Sequence, residues 1–247
     1  MKAILVRVGA DQGKDGGRFN GPVDSRTDEF VYVPIPEPLR FKPSLATRYN
    51  SLGKHLTRFG WKLPPHLAQS KMHLDPDFKH LTYGDRGGAG KRGAQIMENL
   101  TSGDLIVFYA ALRDIHGEPR LVYALIGLYV IESIDLATSV ERSSWHKNAH
   151  TRRVLAAEAN DVIVQAKPKY SGRLDRCIQI GSYRKPKGHP QKRPSYRVEP
   201  KVLKEWGGTS IEDGFLQRSA RLPKFKDPER FYEWFLGKKR QLLARNN

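Results

Sequence analysis

Two long apolar runs, separated by one short polar segment, restrict the fold of this chain more than any other feature of its sequence. Residues 104–110 and 120–132 are rich in β-branched and aromatic side chains, and the turn-like residues 113–119 lie between them. Runs of this composition on either side of a turn are typical of neighbouring antiparallel strands. The sequence therefore predicts a long β-hairpin in the core, against which the rest of the chain packs.

Shorter patterns predict further elements on both sides of this hairpin. Strands are predicted at residues 2–8, 30–35, 161–166 and 174–182, and helices at residues 44–59, at 94–100 and from Asp227 onward. Strands and helices do not alternate regularly and no segment repeats, so we expect an α+β fold rather than a βαβ fold. We expect one elaborated domain over residues 1–247, with a strongly curved antiparallel sheet or small open β-barrel and flanking helices.

The basic residues are concentrated in the second half of the chain. Of the formal net charge of +17, residues 1–140 carry +3 and residues 141–247 carry +14. Residues 183–197 combine lysine and arginine with two tyrosines, so phosphates can take the charges while the rings stack on bases. Nucleic acid is the expected partner, and a solvated basic loop is the alternative. The predicted contact residues are Arg184, Lys185, Lys187, Lys192 and Arg193.

Other features exclude whole classes of protein. No apolar run approaches the roughly 18 residues that a membrane-spanning helix needs. Pro186, Pro190, Pro194 and Pro200 oppose an amphipathic helix in the basic segment,. A single cysteine excludes an intramolecular disulfide framework and a cysteine-based zinc site,. We expect a cytoplasmic protein that does not bind membranes, and the oligomeric state stays open.

The segment MHLDPDFKH, residues 72–80, carries the clearest candidates for chemistry. In an extended backbone, His73, Asp75 and Asp77 point to one face,. An imidazole and two carboxylates on one face suit either a divalent metal ion or general acid–base catalysis. The alternative is ordinary turn chemistry, in which the carboxylates cap local N–H groups.

Two glycine-rich loops provide further candidates. Arg86, Lys91 and Arg92 lie in a segment that precedes a helix, where freed backbone amides and basic side chains can bind phosphate,. This segment does not match the ATP-binding P-loop pattern, and a flexible surface loop is the alternative. The opening loop places Arg7 and Asp11 after a strand and before paired glycines, which is a common active-site arrangement and also an ordinary hairpin loop,.

In their order along the chain, several short motifs resemble the nucleotide modification associated domain 3 family. The motifs are ILVRVGADQGKDGGRFNGPV, VYVPIPE, HLDPDF, YGDRGGAGKRGAQ and GDLIVFYA. The matching positions are Arg7, Gly9, Asp11, Gly16, Gly17, Pro22, Pro34, Pro36, His73, Asp75, Pro76, Asp77, Gly103 and Asp104. The resemblance covers residues 1 to about 135, and the strongly basic segment 167–204 departs from the family pattern.

The resemblance implies association with systems that make or handle modified bases in DNA, and so favours DNA over RNA. It also implies that Asp11, His73 and Asp75 share a site. It does not define a reaction. In a looser likeness of fold alone, Gly103-Asp104 followed by two core strands is similar to the PUA-like barrels that bind bases in RNA and DNA,.

These observations support three hypotheses. In the first, the protein is an enzyme in which Asp11, His73, Asp75 and Asp77 act on a nucleotide by group transfer or metal-assisted hydrolysis, with a divalent metal as one option. In the second, it is a non-catalytic PUA-like reader that stacks a modified base on Tyr109 and Trp145. In the third, it is a structural or RNA-associated basic protein. Whether the chain is an enzyme stays open at this point.

Overall fold

The computed structural model describes residues 1–116, 120–188, 191–216 and 220–247. Parts of the predicted turn 113–119 and of the basic segment 183–197 therefore lie outside the described residues. The strands are β1 Ala3–Arg7, β2 Pro22–Val23, β3 Ile35–Pro36, β4 Met72–His73, β5 Thr82–Asp85, β6 Leu105–Asp114, β7 Leu121–Leu136, β8 Val162–Ala166, β9 Gly172–Arg184, β10 Ser195–Val198 and β11 Leu242–Leu243. The α-helices are α1 Gly53–Thr57, α2 Pro65–Ala68, α3 Arg92–Asn99, α4 Ala149–Arg152, α5 Pro200–Glu205 and α6 Pro228–Gly237.

The predicted hairpin is confirmed and forms the centre of the sheet. β6 and β7 pair antiparallel from Leu105 opposite Val130 to Arg113 opposite Leu121, with one irregularity after Phe108. Alternate side chains of β6 enter two separate apolar clusters, one on each face of the sheet. A strand buried on both faces needs an unbroken apolar sequence, which explains the composition of residues 104–110.

The sheet is mixed, which corrects the expected antiparallel sheet. β1 and β2 both pair parallel with β6, because the long connection between β2 and β6 lets the chain re-enter the sheet in the same direction,. Nine strands take part, along the path β1-β6-β7-β8-β5 with β2, β9, β10 and β11 attached. In the described part of the chain this path has two ends and does not close into a barrel, and the PUA-like fold is not confirmed.

β7 brings two parts of the sheet together because it is long enough to have two partners on one edge. Its residues 123–128 pair with β9, and its residues 131–136 pair with β8. β8 in turn pairs with β5, which follows β4 in the chain. This pairing holds the β4–β5 segment beside residues 137–161, which connect β7 to β8. This arrangement places two distant stretches of sequence beside each other.

Two predicted elements differ from the structure. Of residues 30–35, only Ile35 lies in a strand, β3. The backbone groups of the others have scattered partners: Val31 N donates to Pro22 O of β2, Ala10 N donates to Val33 O, and the side chain of Asn247 bonds to both backbone groups of Tyr32. The helix predicted at 44–59 begins only at Tyr49, as a 3-10 turn that leads into α1. Ser44 has a φ of 63° and does not cap it.

Helix α6 follows the prediction closely. The Asp227 side chain accepts a hydrogen bond from the backbone N–H of Arg230, and Pro228 occupies the first turn,. Phe231 and Phe235 are buried against Trp206 on one face of the sheet. Within the described residues, no helix is long and apolar enough to cross a membrane.

Candidate metal centre

The sheet brings His73, Asp75 and His150 together. His73 ends β4, where it pairs with Ile35 of β3, and Asp75 follows two residues later. His150 lies in α4, whose N-cap is Asn148; the Asn148 side chain accepts a hydrogen bond from His150 N,. The Nε2 atoms of His73 and His150 lie 3.7 and 3.5 Å from Oδ2 of Asp75. All three side chains are buried.

Each imidazole is oriented by a second carboxylate. Nδ1 of His73 lies 2.8 Å from Oε2 of Glu37, and Nδ1 of His150 lies 2.6 Å from Oδ2 of Asp161. The carboxylate partners favour the tautomer with the proton on Nδ1 in both rings, which leaves the Nε2 lone pairs facing Asp75. Terminal nitrogens of Arg153 also lie 3.1 Å from Nδ1 of His73 and 3.2 Å from Nδ1 of His150. Histidines that bind metals are usually held by a carboxylate in this way.

Arg153 lies between the two outer carboxylates. Its Nε donates to Oε2 of Glu37 at 2.7 Å, and a terminal nitrogen lies 3.6 Å from Oδ2 of Asp161. The guanidinium thus compensates the two buried negative charges behind the rings, away from the Nε2 atoms.

Burial and hydrogen bonds set the protonation of these groups. Burial lowers the pKa of His73 to about 4 and raises the pKa of Asp75 well above its usual range. Burial alone would also raise the pKa of Glu37, but hydrogen bonds from His73 and Arg153 lower it to about 2. Neutral imidazole is the form that binds a metal ion, and a cation among these atoms would stabilise the ionised form of Asp75.

Asp75 is fixed from its own side of the centre. The backbone N–H of Gly84 lies 3.0 and 2.9 Å from its two carboxylate oxygens, and Asn148 Nδ2 donates to Oδ1 at 3.2 Å. A Cβ atom on Gly84 would lie 2.6 Å from Cδ2 of His150. Only glycine allows the strand to approach the ring this closely.

The donor set fits a divalent transition metal. Ligands bound to one metal at about 2.1 Å stand about 3.0–3.4 Å apart, and the three ligand atoms here all lie within 4.8 Å of one another. Two imidazoles and one carboxylate leave coordination positions open for other ligands, which is typical of catalytic zinc sites and of mononuclear non-haem iron sites.

The three residues line one end of a pocket of about 550 Å³. Among the residues predicted from the sequence, the pocket is also lined by Arg7, Asp11, Arg86 and Arg92. The opening loop and the start of the second glycine-rich segment thus share the pocket with the His73 and Asp75 pair. A space of this size is typical of small-molecule sites.

The basic side chains of the pocket differ in their partners. Arg7 lies 3.4 Å from Asp11, and Arg92 bonds to Asp85 and to the hydroxyl of Tyr83. The side chains of Arg86 and Lys14 make no hydrogen bond or ion pair with any described residue, although the charge of Arg86 contributes to lowering the pKa of Asp161. These two cations are therefore available to an anionic ligand.

Asp77 does not share the face of His73 and Asp75. Its side chain is fully buried and accepts hydrogen bonds from His80, Arg152 and Asn246. Burial alone would raise the pKa of Asp77, but the bond from His80 and the charge of Arg152 lower it. The chain bends at Pro76, between Asp75 and Asp77, and Asp77 then forms a backbone bridge with Thr82. The extended geometry assumed for residues 73–77 therefore does not hold.

Lys91 lies outside the pocket, at the N-cap of α3. The glycine-rich segment before it is folded on itself: Lys91 N donates to Gly88 O, and Gly93 N donates to Arg86 O. A Cβ atom on Gly87 would lie 1.8 Å from Asn160 O. The amides of Lys91 and Gly93 are thus used within the loop. Phosphate binding by this segment, through its other amides and its basic side chains, stays a prediction.

The two rings predicted to stack on a base are engaged by the protein. Tyr109 is 2% exposed, and its hydroxyl donates to Leu216 O. The Trp145 ring is covered by Lys42 Nζ at 4.0 Å from the ring centre, and its indole N–H donates to Val140 O. Neither residue lines the pocket.

The predicted nucleic-acid contacts of the basic segment lie on the hairpin of β9 and β10. Asp213 holds the start of the hairpin loop in place. Its carboxylate lies 2.9 Å from Arg184 and 3.4 Å from Arg197, and it accepts a hydrogen bond from the backbone N–H of Lys187. Lys185, Lys187, Lys192 and Arg193 are exposed. Lys187, Lys192 and Arg197 line a second pocket of about 300 Å³.

Glu37, Asp161 and Arg153 were not among the residues singled out from the sequence, and His150 could be named only as one of several residues that could line a pocket. Each lies far along the chain from His73, and nothing in the local spacing marks them. The β5–β8 pairing brings the segment of His150, Arg153 and Asp161 to the centre, and the β3–β4 pairing brings Glu37 there. Both pairings are long-range features.

Comparisons with known proteins agree with these motifs. A family model described as nucleotide modification associated domain 3 matches residues 2–222 of the chain. Comparisons with curated proteins and with solved structures gave no match.

Proposed function

This chain belongs to the nucleotide modification associated domain 3 family, and from the geometry of its candidate metal centre we propose that it is a metal-dependent enzyme acting on a nucleotide. His73, Asp75 and His150 are the proposed metal ligands. The observation that carries the proposal is the approach of the two histidine Nε2 atoms to Oδ2 of Asp75, at 3.7 and 3.5 Å.

The rest of the pocket supports a nucleotide as the ligand. Arg86 and Lys14 line the same pocket as the three ligands and are proposed to bind its phosphate, since a phosphate needs cations that are not already paired. Arg7 and Asp11 line the pocket as well. Their donors and acceptors are proposed to bind the edge of the base.

The donor set limits the reaction to two types. With zinc, three protein ligands and an open position support hydrolysis or group transfer at the nucleotide. With iron, two histidines and one carboxylate are the ligands of many non-haem oxygenases. The metal that the purified protein retains distinguishes the two.

Paramagnetic relaxation of bound nucleotides tests the proposal. The protein is loaded with Mn²⁺, and the proton spectra of the four 2′-deoxynucleoside 5′-monophosphates are recorded; the zinc-loaded protein is the diamagnetic control. We expect base or sugar protons of at least one nucleotide to broaden with the manganese protein. The His150→Ala variant should not broaden them, whereas His55→Ala, which changes a histidine outside the pocket, should behave as wild type.

Binding to the metal-free protein and to His150→Ala, detected by saturation transfer from protein to nucleotide, gives the result that would contradict the proposal. If nucleotides bind equally well without metal and to His150→Ala, the pocket is that of a non-catalytic reader with a PUA-like role. If none of the nucleotides binds, the pocket does not serve this ligand.

A further inference from the structure

We propose that the β9–β10 hairpin guides a single-stranded nucleic acid to the metal pocket, with Tyr183 as the outermost base-stacking residue. This inference rests on the proposed function, because it names the polymer that brings the nucleotide to that site. It concerns a surface outside the pocket, formed by residues that are not proposed metal ligands.

A continuous row of side chains connects the pocket to this hairpin. Arg7, which lines the pocket, lies over the ring of Tyr123 at 5.5 Å from its centre. Tyr123 stacks on Tyr196 with ring centres 4.5 Å apart and an angle of 24°. Tyr196 contacts Tyr183 at 4.9 Å, directly across the β9–β10 pair.

The exposure of these rings increases away from the core. Tyr123 is 3% exposed, and Tyr183 is 60% exposed. A cross-strand tyrosine pair stabilises a hairpin on its own, but that role does not require one ring to be open to solvent. An exposed, flat ring at the end of a row of aromatic side chains is suited to stacking on an unpaired base.

The charges around Tyr183 fit a phosphate backbone. Lys187, Lys192 and Arg193 are exposed on the same hairpin, and the side chains of Lys192 and Arg193 have no hydrogen bond or ion pair with any described residue. Two acidic side chains, Glu212 and Asp213, line the second pocket next to these lysines, and Asp213 is already bonded to Arg184. The hairpin thus presents positive charge beside an accessible ring.

The combination favours a single strand over a duplex. Bases in a duplex are stacked on each other and offer no free face, whereas each base of a single strand can stack on an aromatic side chain. A nucleotide that enters a pocket must also leave its neighbours, which costs least in a strand that is already unpaired.

Fluorescence anisotropy with labelled 12-nucleotide probes tests this surface on the full chain. The probes are single-stranded DNA, single-stranded RNA of the same sequence, and the corresponding DNA duplex. We expect a single strand to bind more tightly than the duplex. Tyr183→Leu should weaken its binding about five- to 100-fold, and Tyr183→Phe should stay within about twofold.

The salt dependence gives a second measurement. For the double variant Lys192→Ala/Arg193→Ala we expect a slope of log K against log salt smaller by about 1.4, since each lost contact with single strands removes about 0.7. The matched controls are Tyr170→Leu and Lys169→Glu. Both change exposed residues just before the opposite end of β9, about 40 Å away along an extended strand, and should bind as wild type.

Each outcome decides the proposal. Tighter binding of single-stranded DNA or RNA, lost in Tyr183→Leu and kept in Tyr183→Phe, supports it and identifies the polymer. It is overturned if the duplex binds at least as tightly, or if the hairpin variants bind as well as the controls. Circular dichroism of every variant shows whether the fold is intact.

Failure of this inference is distinguishable from failure of the proposed function. If the hairpin variants bind single strands normally and also bind metal, the proposed guiding surface is wrong and the proposed metal centre stands. If the wild-type protein binds no metal but Tyr183→Leu weakens single-strand binding, the proposed enzyme is wrong and the proposed guiding surface stands.

Discussion

Nε2 of His150 lies 3.5 Å from Oδ2 of Asp75, although a large part of the sheet separates the two residues along the chain. Asn148 links them: its side-chain amide donates to Asp75 and its side-chain oxygen accepts from His150 N. The proposed ligand set is thus held by a helix cap on one side and by β5 on the other.

The outer carboxylates should control metal affinity. Glu37→Gln and Asp161→Asn each remove the charge that orients a histidine Nδ1, and we expect each to weaken metal binding about 10- to 100-fold. Competition with a chromogenic chelator measures the affinity. Asp135→Asn, at an exposed position on β7, is the control and should have no effect. Equal affinities in all four proteins would show that the outer carboxylates do not support the centre.

Gly84→Ala should disturb the centre sterically. The new Cβ would lie 2.6 Å from His150 Cδ2, so either the ring or β5 must move, at a cost of about 1–3 kcal/mol. We expect a clear loss of metal affinity with an unchanged far-ultraviolet circular dichroism spectrum. Gly53→Ala is the matched control, because a Cβ there meets no atom within 4 Å. A Gly84→Ala protein with wild-type affinity would contradict the close approach.

Phe78 should be one of the main contributors to stability. It is fully buried, and its ring lies against Tyr32, Phe108 and Tyr129 at 5.6–5.7 Å. Phe78→Ala should lower the free energy of unfolding by about 3–5 kcal/mol, measured by urea denaturation. The control Leu236→Ala removes an apolar side chain that is 56% exposed and should change it by less than about 0.5 kcal/mol. Similar losses in both variants would place Phe78 outside the core.

The hairpin should depend on pH through Asp213. A hydrogen bond from Arg184 is the main cause that lowers the pKa of Asp213 below its model-compound value of 3.8. A lowered pKa in the folded state stabilises the fold above pH 3.8, and this contribution is lost as the pH falls through the folded pKa,. Hydrogen exchange in β10 should therefore be faster in Asp213→Asn than in wild type at pH 7. The unfolding free energies of wild type and Asp213→Asn should converge at pH values below the folded pKa of Asp213. A difference that persists there would contradict the role of the Asp213 charge.

Local patterns predicted the elements that depend on local sequence. The two apolar runs identified β6 and β7, and Asp227 with Pro228 identified the start of α6. The alternation at residues 73–75 predicted that His73 and Asp75 lie together, and their side chains are 3.7 Å apart although β4 ends at His73. In each case the information lies within a few residues.

The remainder of the centre depends on long-range pairing. His150 and Asp161 reach His73 only because β8 pairs with both β5 and β7. Asp77 was grouped with the ligands on the assumption of a continuous strand, but β4 ends at His73, and Asp77 begins a turn bonded to His80. A single sequence carries no local signal for either feature.

Metal stoichiometry tests the central claim most directly. The protein is stripped with a chelator, dialysed against Zn²⁺ or Mn²⁺, and analysed by inductively coupled plasma mass spectrometry together with His150→Ala, Asp75→Ala and His55→Ala. With His73, Asp75 and His150 as ligands, wild type and His55→Ala should retain one ion per chain, and the two ligand variants should retain none above background. A wild-type protein without bound metal, or ligand variants that retain as much as wild type, would contradict the account.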